Sequence, residues 1–507
     1  MAKRSVRARK VSQTFFFILF VYILWSTTYP LTGILPPAAI FRIDPLVTLC
    51  TSLSERVILP GFLLSVSMLV FSALFGRFFC GWVCPLGSAI DAVGDIRKRV
   101  TPEDDAANRR RRVFKFYILG AIVIAALSGR QLAWAADPIV IAARFVSLNL
   151  IPAVTSTVNG AFILLIKYAH IYMLQDIYRP LRASVLGVNV YYFAHAGVIF
   201  CVFALITAAS LFKRRLWCRS VCPLGALYAF IARIAPLRRV VTKCSKCAVC
   251  KSSCRMGAIR DDMTYSPGEC ILCMDCVYEC PQHGTRFAWY PSRKARMPGG
   301  IPDTVKGGIS RRKFLFLAFS PFLLLVSGPG GKGKKAGTGM IRPPAALKEE
   351  EFLDRCIRCG NCMKVCITNG LQPVMFEAGL NGLWTPRLVP EIGYCEYQCT
   401  LCGHTCPTGA IPKLSPSRKR ATRLGVAEID RSICIPWAQD KECIVCQEHC
   451  PVPDKAIKLQ KETIGDRIIA KPVIDEYLCV GCGICQNKCP VRPVRAVRVS
   501  PRNSERT

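Results

Sequence analysis

Apolar residues are distributed unevenly along the 507 residues of the chain. Up to Arg239 they gather in long runs separated by basic clusters; beyond it the runs shorten, and cysteine, glycine and proline break them every few positions. The first run, Thr14 to about Leu35, follows the basic start MAKRSVRARK and has no small-residue cleavage site. It predicts a retained helix with its N-terminus inside. Three further runs predict spans over Val57–Phe79, Val113–Gly129 and Val190–Phe212. Arg97, Lys98, Arg99 and the run Arg109 to Arg112 lie in one connecting loop, and Lys213, Arg214, Arg215 and Arg219 follow the last run. The positive-inside rule places both in the cytoplasm. Residues 1–239 are therefore expected to form a four-helix transmembrane domain. The segment Ala161–Leu174 is apolar but short and carries Lys167 and His170, so it reads as interfacial or re-entrant.

Two cysteine-rich regions follow, residues 240–290 and 346–507, joined by a linker over 291–345. Within that linker SRRKFLFLAF, Ser310 to Phe319, has the pattern of a twin-arginine export signal, Arg311 and Arg312 before a short apolar core. The core is about 14 residues, below the ~20 that cross a bilayer comfortably, which suits a signal or a tilted anchor.

Composition supports a membrane part joined to a soluble part: 51% of residues are hydrophobic. Thirty cysteines in one chain imply disulfides, zinc or iron–sulfur ligation. A formal charge of +35 would suggest nucleic acid as a partner if it stood alone. Six thiolate-bound 4Fe-4S cores would contribute roughly −12, and membrane orientation accounts for much of the remaining basicity, so no nucleic-acid partner is expected.

The spacing of the cysteines selects among those chemistries. CSKCAVCKSSC and CILCMDCVYECP form the bacterial two-cluster ferredoxin pattern, in which each fourth cysteine crosses to the other cube. Cys244, Cys247, Cys250 and Cys280 are expected to hold one cube, and Cys270, Cys273, Cys276 and Cys254 the other. Zinc sites use separated C-x-x-C knuckles instead. Arg255 stands where proline usually follows the fourth cysteine. The C-terminal region repeats the theme with Cys356, Cys359, Cys362 and Cys366; Cys395, Cys399, Cys402 and Cys406; Cys434, Cys443, Cys446 and Cys450; and Cys479, Cys482, Cys485 and Cys489. Sixteen ligands make four more cubes, six in all.

From Arg342 onward the chain resembles the NapG type of polyferredoxin, an exported four-cluster protein whose signal is followed by Arg-Pro-Pro, here Arg342, Pro343 and Pro344. From the first span to Cys280 it resembles NapH, the membrane ferredoxin of periplasmic nitrate reductase systems, and the related NosR, without the latter's flavin-binding extension. The resemblance implies a NapH–NapG fusion: a multi-pass α-helical membrane domain, an α+β two-cluster ferredoxin and a four-cluster polyferredoxin. By analogy with four-cluster proteins it also implies that the first C-terminal set pairs with the fourth and the second with the third. Ile367 departs from the family's usual proline. In such a fusion an internal signal would send only the second half across the membrane, after its clusters are built.

FCGWVCPLGSA and WCRSVCPLGAL, with Cys80 and Cys84 and with Cys218 and Cys222, look like an internal repeat at two membrane ends. Four thiols joined by that symmetry could hold a further metal centre; a redox disulfide or a structural turn are the alternatives. Cys50 and Cys201 stand alone and read as unliganded. No C-x-x-C-H indicates attached haem. His170 and His195 could take a proton from quinol or ligate haem, against the simpler reading of one hydrogen-bonded histidine each. With no nucleophile or acid–base constellation, the expectation is an electron-transfer protein of the bacterial inner membrane. It would pass electrons between membrane quinone and a periplasmic reductase or multihaem cytochrome. The alternative is an electron-donating assembly factor for an exported metalloenzyme, as the NosR likeness allows.

Overall fold

The apolar runs form helices, but their lengths differ from the predicted spans. The structure, a computed structural model, describes residues 2–29, 31, 33, 35–96, 105–168, 170, 172–182, 186, 191–289, 339–465 and 467–506. Helices Ala2–Trp25, Phe62–Phe75, Asp105–Leu127 and Ala196–Phe212 take the four runs. Among the described residues two helices are long and apolar enough to cross a membrane. One is Arg4–Trp25, near the N-terminus; the other is Pro138–Lys167, 30 residues with mean hydropathy 1.7. Phe62–Phe75 and Ala196–Phe212 are apolar but only 14 and 17 residues long. The second long helix corrects the reading of Ala161–Leu174 as one short segment. Ala161 to Lys167 is the end of a run that begins at Pro138 and continues through a π-helical stretch, Val146–Leu150, just before Pro152. Leu174–Leu181 is a separate short helix.

By contacts the chain divides into two units, Met1–Ile23 with Ala39–Phe145 and Phe200–Gly333, and Leu24–Ala38 with Val146–Ile199 and Lys334–Thr507. In the first, four helical segments start on an Asp-Pro or a Cys-Pro step. Pro45–Glu55 follows Asp44, whose carboxylate accepts the Leu46 and Val47 N–H groups at 3.0 and 3.4 Å. Pro138–Phe145 follows Asp137, which accepts Ile139 and Val140 at 2.8 and 3.0 Å. Pro85–Gly94 and Pro223–Ile231 follow Cys84 and Cys222, whose sulfurs accept the Gly87 and Gly225 N–H groups at 3.4 and 3.2 Å. Proline suits these first turns because its missing N–H would have had no helical partner and its φ is already set.

Also in the first unit, β1 (Leu237–Val241) pairs antiparallel with β2 (Thr285–Trp289), bringing together the ends of the 240–290 cysteine segment. This ferredoxin sits directly on the Cys80–Cys84 turn. Trp82 Nε1 donates to the Leu272 carbonyl at 3.0 Å. A Cβ on Gly81 would stand 2.2 Å from the Ile271 carbonyl oxygen, so only glycine permits the approach.

The second unit holds three small antiparallel pairs: β3 (Leu371–Pro373) with β4 (Pro386–Leu388), β5 (Val426–Ile429) with β8 (Val497–Ser500), and β6 (Ile457–Ile464) with β7 (Arg467–Ile474). Its start is fixed by Arg342, buried and donating to Thr385 Oγ1 and the Pro386 carbonyl, both at 2.9 Å. Lys364 reaches the carbonyls of Leu24, Trp25 and Thr27 at 2.6, 3.0 and 3.0 Å. The buried Lys364 side chain there caps the C-terminal end of Ala2–Trp25, where the helix dipole is negative. Asn369 and Gln372 both donate to the Tyr192 carbonyl, at 2.7 and 3.0 Å.

Candidate iron–sulfur centres

Five cavities are each lined by four of the expected cysteines. In the first unit one is bordered by Cys244, Cys247, Cys250 and Cys280, and a second by Cys254, Cys270, Cys273 and Cys276. Each fourth cysteine stands with the first three of the other motif. In the second unit the cavities collect Cys356, Cys359, Cys362 with Cys406; Cys395, Cys399, Cys402 with Cys366; and Cys479, Cys482, Cys485 with Cys450. Cys434, Cys443 and Cys489 surround Cys446 as the remaining set, and Cys434 and Cys489 share one buried cluster with Ala496.

The pairing implied by analogy is therefore corrected. The first C-terminal set exchanges its fourth cysteine with the second, and the third with the fourth; first-with-fourth and second-with-third do not occur. Cysteines adjacent in sequence cross because β3 and β4, lying between the first two sets, fold back on themselves and return the chain to the same place. Pro343 and Pro344 line the Cys366 cavity, which gives the Arg-Pro-Pro stretch a structural role, and Ile367 lines it where proline was expected.

The donor set fits a cube. Four iron corners each take one thiolate, so the sulfurs stand farther apart than around one ion. Accordingly, among the described residues no three His, Cys, Asp or Glu side chains close to single-ion distance. Backbone N–H groups of Ala258, Ile411 and Ala427 point at the sulfurs of Cys254, Cys406 and Cys479 at 3.2, 3.5 and 3.4 Å, bonds that favour sulfur carrying negative charge. Burial pushes the metal-free thiols of Cys270 and Cys482 up to about 12, a cost that ligation removes. The four C-terminal cysteine sets form a series. Cys402 of the second lies in electrostatic reach of Cys362 in the first, the Cys395 N–H donates to the Cys482 carbonyl at 2.8 Å, and Cys446 packs with Cys479, Cys482 and Cys485.

The Cys80/Cys84 and Cys218/Cys222 turns come together in the first unit. Cys84, Cys218 and Cys222 are buried, and each lies within electrostatic reach of Cys80. What the pattern C-x-x-x-C-P did not reveal is a pair of fully buried arginines, Arg77 and Arg215, each three residues before the first cysteine of its turn. They cross between the repeats. Arg215 donates to the Cys80 carbonyl at 2.8 Å and to both oxygens of Asp91 at 2.8 and 2.7 Å. Arg77 reaches over Gly225 and donates to Glu269 at 3.1 Å. The signal was present in sequence as R-x-x-C-x-x-x-C-P-L-G, written twice. Arg255, the departure from proline, pairs with Asp91, Asp95 and Asp275 at 3.2, 2.8 and 2.6 Å.

His170 is exposed with its Nδ1 3.0 Å from the Tyr172 hydroxyl, and His195 is exposed. Neither lies in a buried polar site. Cys50 is buried and Cys201 exposed. Arg311, Arg312 and the twin-arginine stretch lie outside the described residues.

These cavities define the class: an iron–sulfur protein of ferredoxin type. One family model, described as a 4Fe-4S binding domain, matches residues 57–102 and again 194–242, the two arginine–cysteine repeats. A second of the same description matches 472–495. The methylamine utilization ferredoxin-type protein MauM of Methylorubrum extorquens is 36% identical over 172 residues, 33% of this chain and 76% of that protein. MauM of Paracoccus denitrificans is 37% identical, covering 32% of this chain and 72% of that protein. The ferredoxin-type protein NapG of Escherichia coli is 33% identical over 166 residues, 32% of this chain and 70% of its own. The chain belongs to the MauM/NapG family of ferredoxin-type proteins and has an electron-transfer role. No solved structure matches.

Proposed function

We propose that the protein is a membrane-bound electron-transfer chain of six ferredoxin cubes and a four-cysteine centre, linking the quinone pool to a redox partner outside the cytoplasm. The observation that carries this reading is the order of the cysteine sets. In the second unit the four sets follow one another along one chain of contacts. The first is flanked by Gly360 and Asn361, which meet Leu148 and Ser147 of the long apolar helix, the Ser147 hydroxyl 3.4 Å from Asn361 Oδ1. In the first unit the Cys254 cavity belongs to the ferredoxin that rests on the Cys80–Cys84 turn. A 4Fe-4S cube, when bound, stores and passes one electron. The residues of this chain do the rest: they hold the cubes in sequence, keep water from the buried ones, and set their charge environment through Arg239, Arg77 and Arg215.

The 356–489 region lies outside the membrane in this reading, sent there by Arg311 and Arg312, and the 244–280 ferredoxin lies inside. The inner-membrane location rests on the two long apolar helices and the basic loops. The partner is an exported reductase, an amine-oxidising system of the kind that the MauM name suggests, or a multihaem cytochrome.

The test is rapid mixing of the full-length protein in nanodiscs with a menaquinol analogue, following bleaching of the iron–sulfur absorbance. Bleaching within the turnover time of the partner enzyme is expected, slowed by His195→Ala or His170→Ala. Clusters that the quinol does not reduce would remove the quinone link. A protein dispensable once its partner is mature would be an assembly factor instead.

A further inference from the structure

The strand that opens the first ferredoxin carries an arginine where an inward strand position calls for an apolar side chain. In β1, Leu237–Val241, only the central residue, Arg239, is buried. Side chains alternate across a strand, so Arg239 occupies the middle of the inward face. It is 4% exposed, and its register partner across the pair is Phe287. Its backbone N–H donates to the Tyr265 hydroxyl at 2.9 Å, which fixes the strand beneath the side chain.

Of the residues that border the Cys244 and Cys254 cavities, Arg239 is the one common to both, and it is the only charged side chain on the wall of the second. By contrast, no residue is shared among the three cavities of the second unit. Arg239 Nη2 donates to Cys250 Sγ at 3.5 Å, and Nη1 to the Met263 carbonyl at 3.4 Å. Nε is buried with no hydrogen-bond partner. Among the described residues the side chain enters no ion pair. A cation buried in this way is costly unless an anion lies against it. A cube held by four thiolates is such an anion, and two cavities built for one meet this guanidinium. The metal-free thiols show the same reach: burial pushes Cys250 and Cys276, one from each set, up, and the Arg239 charge pulls both back.

We infer that Arg239 is a positioning residue shared by the two cubes of this ferredoxin, its one guanidinium serving sulfur on both and holding both reduction potentials up together. The inference rests on the two cubes of the proposed function and adds what sets their potentials as a pair. Reduction of either cube adds a negative charge, which a close cation stabilises in an interior of low dielectric. Hydrogen bonds to cluster sulfur act in the same direction. Because the charge is fixed and shared, it moves both midpoints the same way, so one donor can serve both cubes.

Redox titration of the full-length protein in nanodiscs, followed by electron paramagnetic resonance, tests this with Arg239→Gln and Arg239→Lys. Glutamine removes the charge and keeps a donor for the Met263 carbonyl, and an iron content equal to that of the wild type reports that the cubes are loaded. In Arg239→Gln two cluster midpoints are expected to move to lower potential together while the others stay in place. Arg239→Lys keeps the charge but not the fork, and the same two midpoints should fall by less. One displaced midpoint in Arg239→Gln would overturn the shared role, and none would overturn any influence of Arg239 on the potentials. Should glutamine prevent loading, Arg239→Lys is read in the same way. Failure of the quinone link alone looks different: the paired shift would remain while a menaquinol analogue left the clusters oxidised.

Discussion

The two arginine–cysteine repeats are alike in almost every particular, and they differ where the ferredoxin lies. Arg77-x-x-Cys80-x-x-x-Cys84-Pro85-Leu86-Gly87 matches Arg215-x-x-Cys218-x-x-x-Cys222-Pro223-Leu224-Gly225, down to the N–H···S bonds of the two glycines. Seven residues after the second cysteine, however, the first repeat has Asp91 and the second has Ala229. Arg215 therefore finds its counter-charge inside the repeat pair, while Arg77 takes Glu269 from the ferredoxin, assisted by Lys115 at 2.7 and 2.6 Å from its two oxygens. The turn carrying Glu269 also occupies the space above Ala229: a Cβ on Gly268 would stand 2.5 Å from the Ala229 carbonyl oxygen. Gly81 stands against Arg219 and Trp82 against Ser220; Gly81 is where the Ile271 backbone arrives, and Trp82 Nε1 donates to the Leu272 carbonyl. An internal symmetry builds the four-cysteine site, and exceptions to it dock the ferredoxin.

The largest effects should come from removing either acid. Glu269→Ala leaves Arg77 and Lys115 buried without their counter-charge, and Asp91→Ala does the same to Arg215 while also removing a partner of Arg9 and Arg255. Each should cost about 3–5 kcal/mol, read as earlier loss of cluster absorbance on a thermal ramp. Adding Ala229→Asp to Glu269→Ala should recover part of that loss if the repeats are equivalent, and deepen it if Arg77 depends on the ferredoxin alone. Gly81→Ala should cost about 1–3 kcal/mol, since the Cβ meets backbone that cannot turn aside, and the 244–280 clusters should become more accessible to chelators. The smallest stability change belongs to His170→Ala and His195→Ala, within about 0.5 kcal/mol because both rings are exposed. Any slowing of quinol oxidation in them is then chemical in origin.

Legibility in sequence followed the range of the signal. The crossing of Cys254 and Cys280 could be read because it occurs within one short motif. The pairing of the C-terminal sets could not, because it depends on where β3 and β4 return the chain. Helix type is plain from the apolar runs, yet the run beginning at Pro138 does not stand out in sequence, since Arg144 and Asn149 interrupt it and only the fold shows Arg144 satisfied on Trp134. Arg77 and Arg215 stand in the sequence as repeated letters, but their crossing between the repeats is tertiary.

The central claim is most directly tested by counting iron and acid-labile sulfide in anaerobically purified full-length protein, beside a variant with Cys80, Cys84, Cys218 and Cys222 all changed to serine. Six ferredoxin cubes predict roughly 24 of each in the variant, with more iron in the wild type from the four-cysteine centre. Zinc in place of most of the iron, or a wild type and variant with equal iron, would contradict the account.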